Sequence, residues 1–311
     1  MILSRRALLV AAASSGVLVA TGCAPSTRAT LTLGCGERGG SYLQFGELLR
    51  DAVDREGDIR IDARETEGSV ENLRLLAAED VDLALALADS AATATLDRDD
   101  VVAIGRVYQN YLQCIVRADA GIDDLAGLAG RRVSLGAPGS GAAATARRVL
   151  AAGRMTAGSS APDAVEVTFR QGVADLEAGR IDALFWSGGI PTPQIEQLAG
   201  RLPIRVLDTT GVLPALSARY PGPYAATSIP AGVYGAATAV PTIGIANLLL
   251  ARAALPAAQA RRLVDVLIDD ATVLVPPNAV GVQYLTPASL IDTVPVRLHP
   301  AAAERFRERY G

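Results

Sequence analysis

No lysine occurs among the 311 residues, so all 29 basic side chains are arginine. The bias matches the abundance of alanine and reads as compositional. Net charge is −4, and the arginines are scattered, without the basic stripe that a nucleic-acid phosphate backbone requires; no nucleic-acid partner is expected. Cysteine is sparse. Cys23, Cys35 and Cys114 show no paired spacing that would hold zinc, so no metal site is expected. An oxidising compartment permits a Cys35–Cys114 disulfide, but sequence does not fix the Cα separation it needs. The single histidine, His299, is followed directly by Pro300, which argues against a hydrolase triad and for a structural role. No acid pair stands out either, because carboxylates such as Glu304 and Glu308 sit beside arginines in the manner of a solvated helical face. Catalytic residues and cofactors are therefore not expected.

Two nucleotide motifs are weighed and neither is read as a nucleotide site. Gly136 to Ala143 has P-loop glycine spacing, but Ala142 and Ala143 replace the Lys and Ser/Thr that hold phosphate and magnesium. Gly34-Cys35-Gly36-Glu37-Arg38-Gly39 matches G-x-G-x-x-G, with Asp62 near the end of the next strand. A tight turn is the preferred reading there over a dinucleotide site, since an exported protein meets little NAD.

Export itself is read from the first residues. Arg5 and Arg6 precede an almost wholly apolar run from Ala7 to Ala20, shorter than the ~20 residues of a membrane span. Ala20-Thr21-Gly22-Cys23 then resembles a lipobox, which makes residues 1–22 a signal peptide and Cys23 a lipidated mature N-terminus, placing the protein outside the cytoplasm on a lipid anchor. Ser4 to Leu9 also resembles a twin-arginine signal.

The mature chain is long enough for two lobes and alternates short β-rich runs with helical periodicity, each switch marked by Gly, Ser or Pro, which is α/β organisation. Strands are expected at Leu31 to Leu33, Ile59 to Asp62, Val81 to Leu87, Val101 to Val107, Tyr111 to Arg117, Arg132 to Leu135, Ile181 to Trp186 and Thr242 to Ala251. Helices are expected after Gly40 and Gly68, near Gly172 to Gly179, over Pro256 to Val275 and from Pro300 to Tyr310. Pro214 to Pro241 has no sustained period and reads as irregular.

Four loops put small residues at the start of a helix, where unpaired N–H groups and the helix dipole favour an anion. They are Gly39-Gly40-Ser41-Tyr42, Gly68-Ser69-Val70-Glu71-Asn72, Gly139-Ser140-Gly141 and Ser187-Gly188-Gly189. Each alone is also ordinary capping chemistry, with Asn72 at the capping-box position of Ser69. In open α/β sheets ligands lie beyond the carboxyl ends of the strands, so such loops in two lobes predict a site between them. Asp89, ending an apolar strand, either faces that cleft or caps a helix.

These loops, with Gly188-Gly189-Ile190-Pro191-Thr192-Pro193, Ile229-Pro230-Ala231-Gly232-Val233-Tyr234 and Leu298-His299-Pro300, give the chain from Leu31 to Gly311 a pattern that resembles the TAXI family of TRAP-transporter solute-binding proteins. The resemblance implies a type II periplasmic-binding-protein fold, two α/β lobes joined by two crossover strands near Tyr111 to Arg117 and Thr242 to Ala251. The implied division is 31–112 for lobe I, 113–238 for lobe II and 239–311 for the return to lobe I. A glutamate-like or dicarboxylate ligand and a TRAP membrane subunit with fused small and large parts are likewise implied. Ligand contacts are expected from Gly40, Ser41, Tyr42, Ser69, Val70, Asn72, Asp89, Gly139, Ser140, Gly141, Gly188, Gly189 and Tyr234. A ligand sensor that presents its bound state to a membrane receptor is the alternative.

Overall fold

The computed structural model describes residues 28–55, 57, 59–94 and 100–311; the signal segment and Cys23 lie outside the described residues. The chain runs β1 (Ala29–Gly34), α1 (Ser41–Asp54), β2 (Ile59–Arg64), α2 (Ser69–Ala77), β3 (Leu83–Leu87), α3 (Ala88–Thr93) and the long β4 (Val101–Arg117). It continues through β5 (Arg132–Ser134), α4 (Gly141–Ala152), β6 (Asp163–Val165), α5 (Phe169–Glu177), β7 (Ala183–Gly188), α6 (Pro193–Ala199) and β8 (Ile204–Leu207). Then come α7 (Leu213–Arg219), β9 (Tyr224–Ile229), the long β10 (Val240–Arg252), α8 (Ala257–Asp269), α9 (Pro287–Leu290) and α10 (Pro300–Tyr310).

The strand order is β2-β1-β3-β10-β4-β7-β5-β6, with β8 added to β4 and β9 to β10. β4 and β10 pair antiparallel over most of their length, from Arg252 opposite Val101 to Gly244 opposite Tyr111. At one end β10 pairs with β3 through Asn247 to Ala251; at the other, β4 pairs with β7 through Tyr111 to Val116. The two strands thus form the middle of one ten-stranded sheet, with β3, β1 and β2 on the β10 side and β7, β5 and β6 on the β4 side; the elements on the first side are called lobe I and those on the second lobe II. Val101–Arg117, expected as two runs, is one strand.

Each half of the sheet is covered on both faces, so its inner strands read as continuous apolar runs rather than alternating ones. Leu83-Ala84-Leu85-Ala86-Leu87 is buried throughout: Leu83 and Leu85 belong to the cluster under α1 and α8, Ala84 and Ala86 to the one under α2. Full burial of a leucine contributes about 1.5–3 kcal/mol. Lobe II repeats the plan, with α4 over Val133, Phe185 and Ile243 on one face and α5 and α6 over Ile115, Leu184 and Trp186 on the other. Cys35 and Cys114 lie in different clusters and are both free. Burial, with the fields of Glu47 and Asp62, pushes the Cys35 thiol up to about 12.

One local feature was read differently from sequence, and a second, His299, takes the structural role expected of it. Within 214–241, expected as irregular, Tyr224–Ile229 pairs antiparallel with β10 from Tyr224 opposite Ile245 to Ile229 opposite Val240. His299 is a structural cap: its Nδ1 accepts from Ala301 N–H at 3.1 Å while Nε2 faces the Leu255 carbonyl at 3.0 Å, which selects the Nε2–H tautomer.

Candidate functional site

Three helices begin at the seam between the lobes: α1 at Ser41, α2 at Ser69 and α4 at Gly141. First-turn N–H groups lack intrahelical acceptors, so each start presents donors at the positive end of the helix dipole. Gly40 and Gly68 occupy the N-cap positions of α1 and α2 and offer no side chain to those donors; Gly68 sits at φ +112°, open to glycine without strain. Ser140 does cap α4, its Oγ accepting from Ala143 N–H at 3.0 Å. Ser140→Ala should therefore lower lobe II stability by about 1 kcal/mol, read from the midpoint of chemical denaturation, before any effect on ligand.

The three starts surround a cavity of about 390 Å³, its open mouth included. Gly40, Ser41, Tyr42, Ser69, Ser140 and Gly141 line it, together with Glu37, Glu67, Leu87, Asn110, Trp186 and Ser187. The hydroxyls are arranged so that protons are left over. Ser69 Oγ accepts from Leu87 N–H at 3.1 Å and lies 3.0 Å from Tyr42 Oη. One O–H of that pair joins the two oxygens, and the other is available to the cavity. Ser41 Oγ accepts from Gly189 N–H at 2.7 Å, so its own proton is not used in that bond.

The lobes meet directly across this seam. Besides Ser41 and Gly189, Glu71 N–H donates to the Gly139 carbonyl at 3.1 Å and Phe169 N–H donates to Glu37 Oε2 at 2.8 Å. Burial pushes the Glu37 carboxyl up to about 7, reinforced by Glu67 and Glu65 and opposed by the Phe169 bond and Arg170.

The remaining expected residues take other places. Val70 is 42% exposed and outside the lining. Asn72 is framework: its amide donates to the Cys35 and Leu85 carbonyls and accepts from Thr66 Oγ1. Gly139 belongs to the seam. Gly188 ends β7 against Trp186, where a Cβ would come within 2.3 Å of the indole nitrogen. Gly189 fronts a second space of about 720 Å³ reaching Tyr108, Gln109 and Pro276. Tyr234, at φ 55°, packs with Trp186 and Phe169, its hydroxyl accepting from Thr192 N–H at 2.6 Å.

Asp89 has 0% exposure and does not reach the cavity lining. Its Oδ2 accepts from Thr145 Oγ1 at 2.7 Å, Arg148 Nη1 at 2.7 Å and Tyr224 Oη at 2.8 Å, all from lobe II. Burial pulls the Arg148 guanidinium down, but the facing Asp89 carboxylate and Tyr224 together outweigh it and hold Arg148 above its usual value. Sequence reasoning did not select Glu37, Asn110 or Trp186. The signal for Asn110 was present as a polar Gln109-Asn110 step inside an apolar strand, where the amide now donates to the Ser187 carbonyl at 3.0 Å.

Solved structures share this architecture at low identity. A Bordetella bronchiseptica protein aligns with TM-score 0.54 at 15% identity, covering 90% of this chain and 82% of that one. The binding-protein component of an ABC phosphonate transporter from Pseudomonas aeruginosa aligns with TM-score 0.53 at 12% identity, over 78% and 74%. A Xanthomonas citri protein solved bound to ATP aligns with TM-score 0.52 at 15% identity, over 90% and 95%. The likeness shows the fold, the two-lobed α/β architecture of periplasmic binding proteins. Among the described residues no helix is long and apolar enough to cross a membrane. The sequence model of the NMT1-like family matches residues 33–309, and the chain belongs to that family.

Proposed function

We propose that this chain is an extracytoplasmic solute-binding protein, held to the membrane by a lipid on Cys23, whose lobes close over a small carboxylate and deliver it to a transporter. The observation that carries the reading is the convergence of α1, α2 and α4 on one inter-lobe cavity, with hydroxyl protons of the Tyr42–Ser69 pair and Ser41 left over at its wall. A wall of donors asks for a ligand that brings acceptors, and carboxylate oxygens are acceptors only. Ligand contacts are assigned to Ser41, Tyr42, Ser69 and Ser140 and to the amides of the three first turns, with Gly40 and Gly141 as the close-approach positions. Asn72, Asp89 and Tyr234 support the walls. The ordered motifs of the TAXI resemblance favour a TRAP membrane subunit as partner, while the Pseudomonas relative named for an ABC transporter shares the fold.

Thermal-shift screening against amino acids and C4–C6 dicarboxylates tests the proposal. Selective binding raises the unfolding midpoint in proportion to ln(1 + [L]/Kd), about 2.7 kcal/mol at one hundred times Kd. A flat response to every carboxylate removes the ligand assignment and leaves the fold as it is.

A further inference from the structure

Resting on that reading of the site, we infer that the cavity takes a small zwitterion in preference to a dicarboxylate, with an ammonium group facing Glu37 and Glu67 and a carboxylate facing the three helix starts. Among the described residues the charged side chains in the lining are those two glutamates, with no arginine or histidine beside them. A dicarboxylate that lacks an ammonium group would satisfy the helix starts at one end and meet like charge at the other, without a cation to offset it. Trp186 completes the wall as an uncharged residue, one of its faces stacked on Phe169 with centroids 3.8 Å apart.

The opposite end of the ligand is fixed by an independent observation. Tyr42 and Ser69 are 8% and 1% exposed, and between them one hydroxyl proton has no acceptor in their shared network. A buried donor left unsatisfied is costly, and the carboxylate end of the ligand supplies the missing acceptor. Glu37 is held in place by Phe169 N–H from lobe II, so closure brings its carboxylate to the cavity together with α4. Its raised pKa has the same origin, a carboxylate drawn out of water beside Glu67 and Glu65 with Arg170 as the opposing charge. A bound ammonium would neutralise that excess.

Calorimetry with matched pairs decides the matter. L-glutamate and glutarate differ by the α-ammonium alone, and L-glutamine and glutaramate repeat the comparison with one carboxylate. The amine-bearing member of each pair is expected to bind about 10- to 150-fold more tightly, the range of one charge-assisted hydrogen bond. In Glu37→Gln, which keeps an oxygen for Phe169 N–H, that ratio should fall toward one. Glutarate binding as tightly as glutamate, or a ratio unmoved by Glu37→Gln, overturns the zwitterion assignment and leaves solute capture standing. Absence of binding by all four overturns both.

Discussion

Gly141→Val is expected to hold the lobes apart and weaken ligand binding by about 10- to 100-fold while each lobe stays folded. The reason is a contact that only lobe closure makes. A Cβ built at Gly141 would lie 2.5 Å from Ser69 Oγ, 2.8 Å from Leu87 Cδ1 and 3.0 Å from Ser69 Cβ, all on the facing lobe. Overpacking of this kind costs about 1–3 kcal/mol, and here the lobes can avoid it by staying open. The cost therefore appears in the open–closed equilibrium, and apparent affinity falls with the fraction that can close. Small-angle scattering should report a larger radius of gyration for the variant. Chemical denaturation of lobe II should move by no more than about 0.5 kcal/mol, as for a surface change. Unchanged affinity and radius would mean that Ser69 and Gly141 do not meet in the working closed state.

What sequence reveals of this protein divides by the range of the interaction involved. The helix starts at Ser41, Ser69 and Gly141 were legible because capping is a local matter of a few residues, and α10 was placed at Pro300–Tyr310 for the same reason. Tyr224–Ile229 was missed because Ala225, Ala226, Thr227 and Ser228 carry no apolar alternation; its strand state comes from the β10 ladder beside it. The break read between Val107 and Tyr111 was not a break in the strand. It is where the crossover strand passes the cavity, and Asn110 is polar because it lines that cavity and hydrogen-bonds across to Ser187. A polar interruption in an otherwise apolar crossover strand was thus a site signal taken for a chain break.

Glu37 shows the limit from the other side. In the sequence it stands only as a variable position of the G-x-G-x-x-G turn, and its place is set by Phe169, 132 residues away, donating to it from the other lobe. The charge of the cavity is set by such long-range choices, so glutamate-like and dicarboxylate ligands were indistinguishable while only the donor-bearing helix starts were visible.

Asp89→Asn should destabilise the closed state by about 3–5 kcal/mol, the typical cost of leaving one partner of a buried ion pair without the other. Asp89 lies on α3 in lobe I, and its Oδ2 gathers Thr145, Arg148 and Tyr224 from lobe II, with the Arg148 side chain 14% exposed. In the open protein both charges return to water. The intact pair is therefore close to break-even for closure, its Coulomb attraction set against two desolvation penalties. The amide variant keeps an oxygen for Thr145 and Tyr224 but leaves the guanidinium facing no charge. Because the network spans the lobes, the loss should appear as weaker ligand binding and a larger radius of gyration, ahead of any change in the unfolding of a single lobe. A double-mutant cycle separates the pair from its surroundings. Arg148→Met in the Asp89→Asn background removes the stranded charge and should recover most of the loss, so the coupling energy is at least as large as the energy recovered. Simple additivity of the two substitutions would show that Asp89 and Arg148 do not act as one unit in closure.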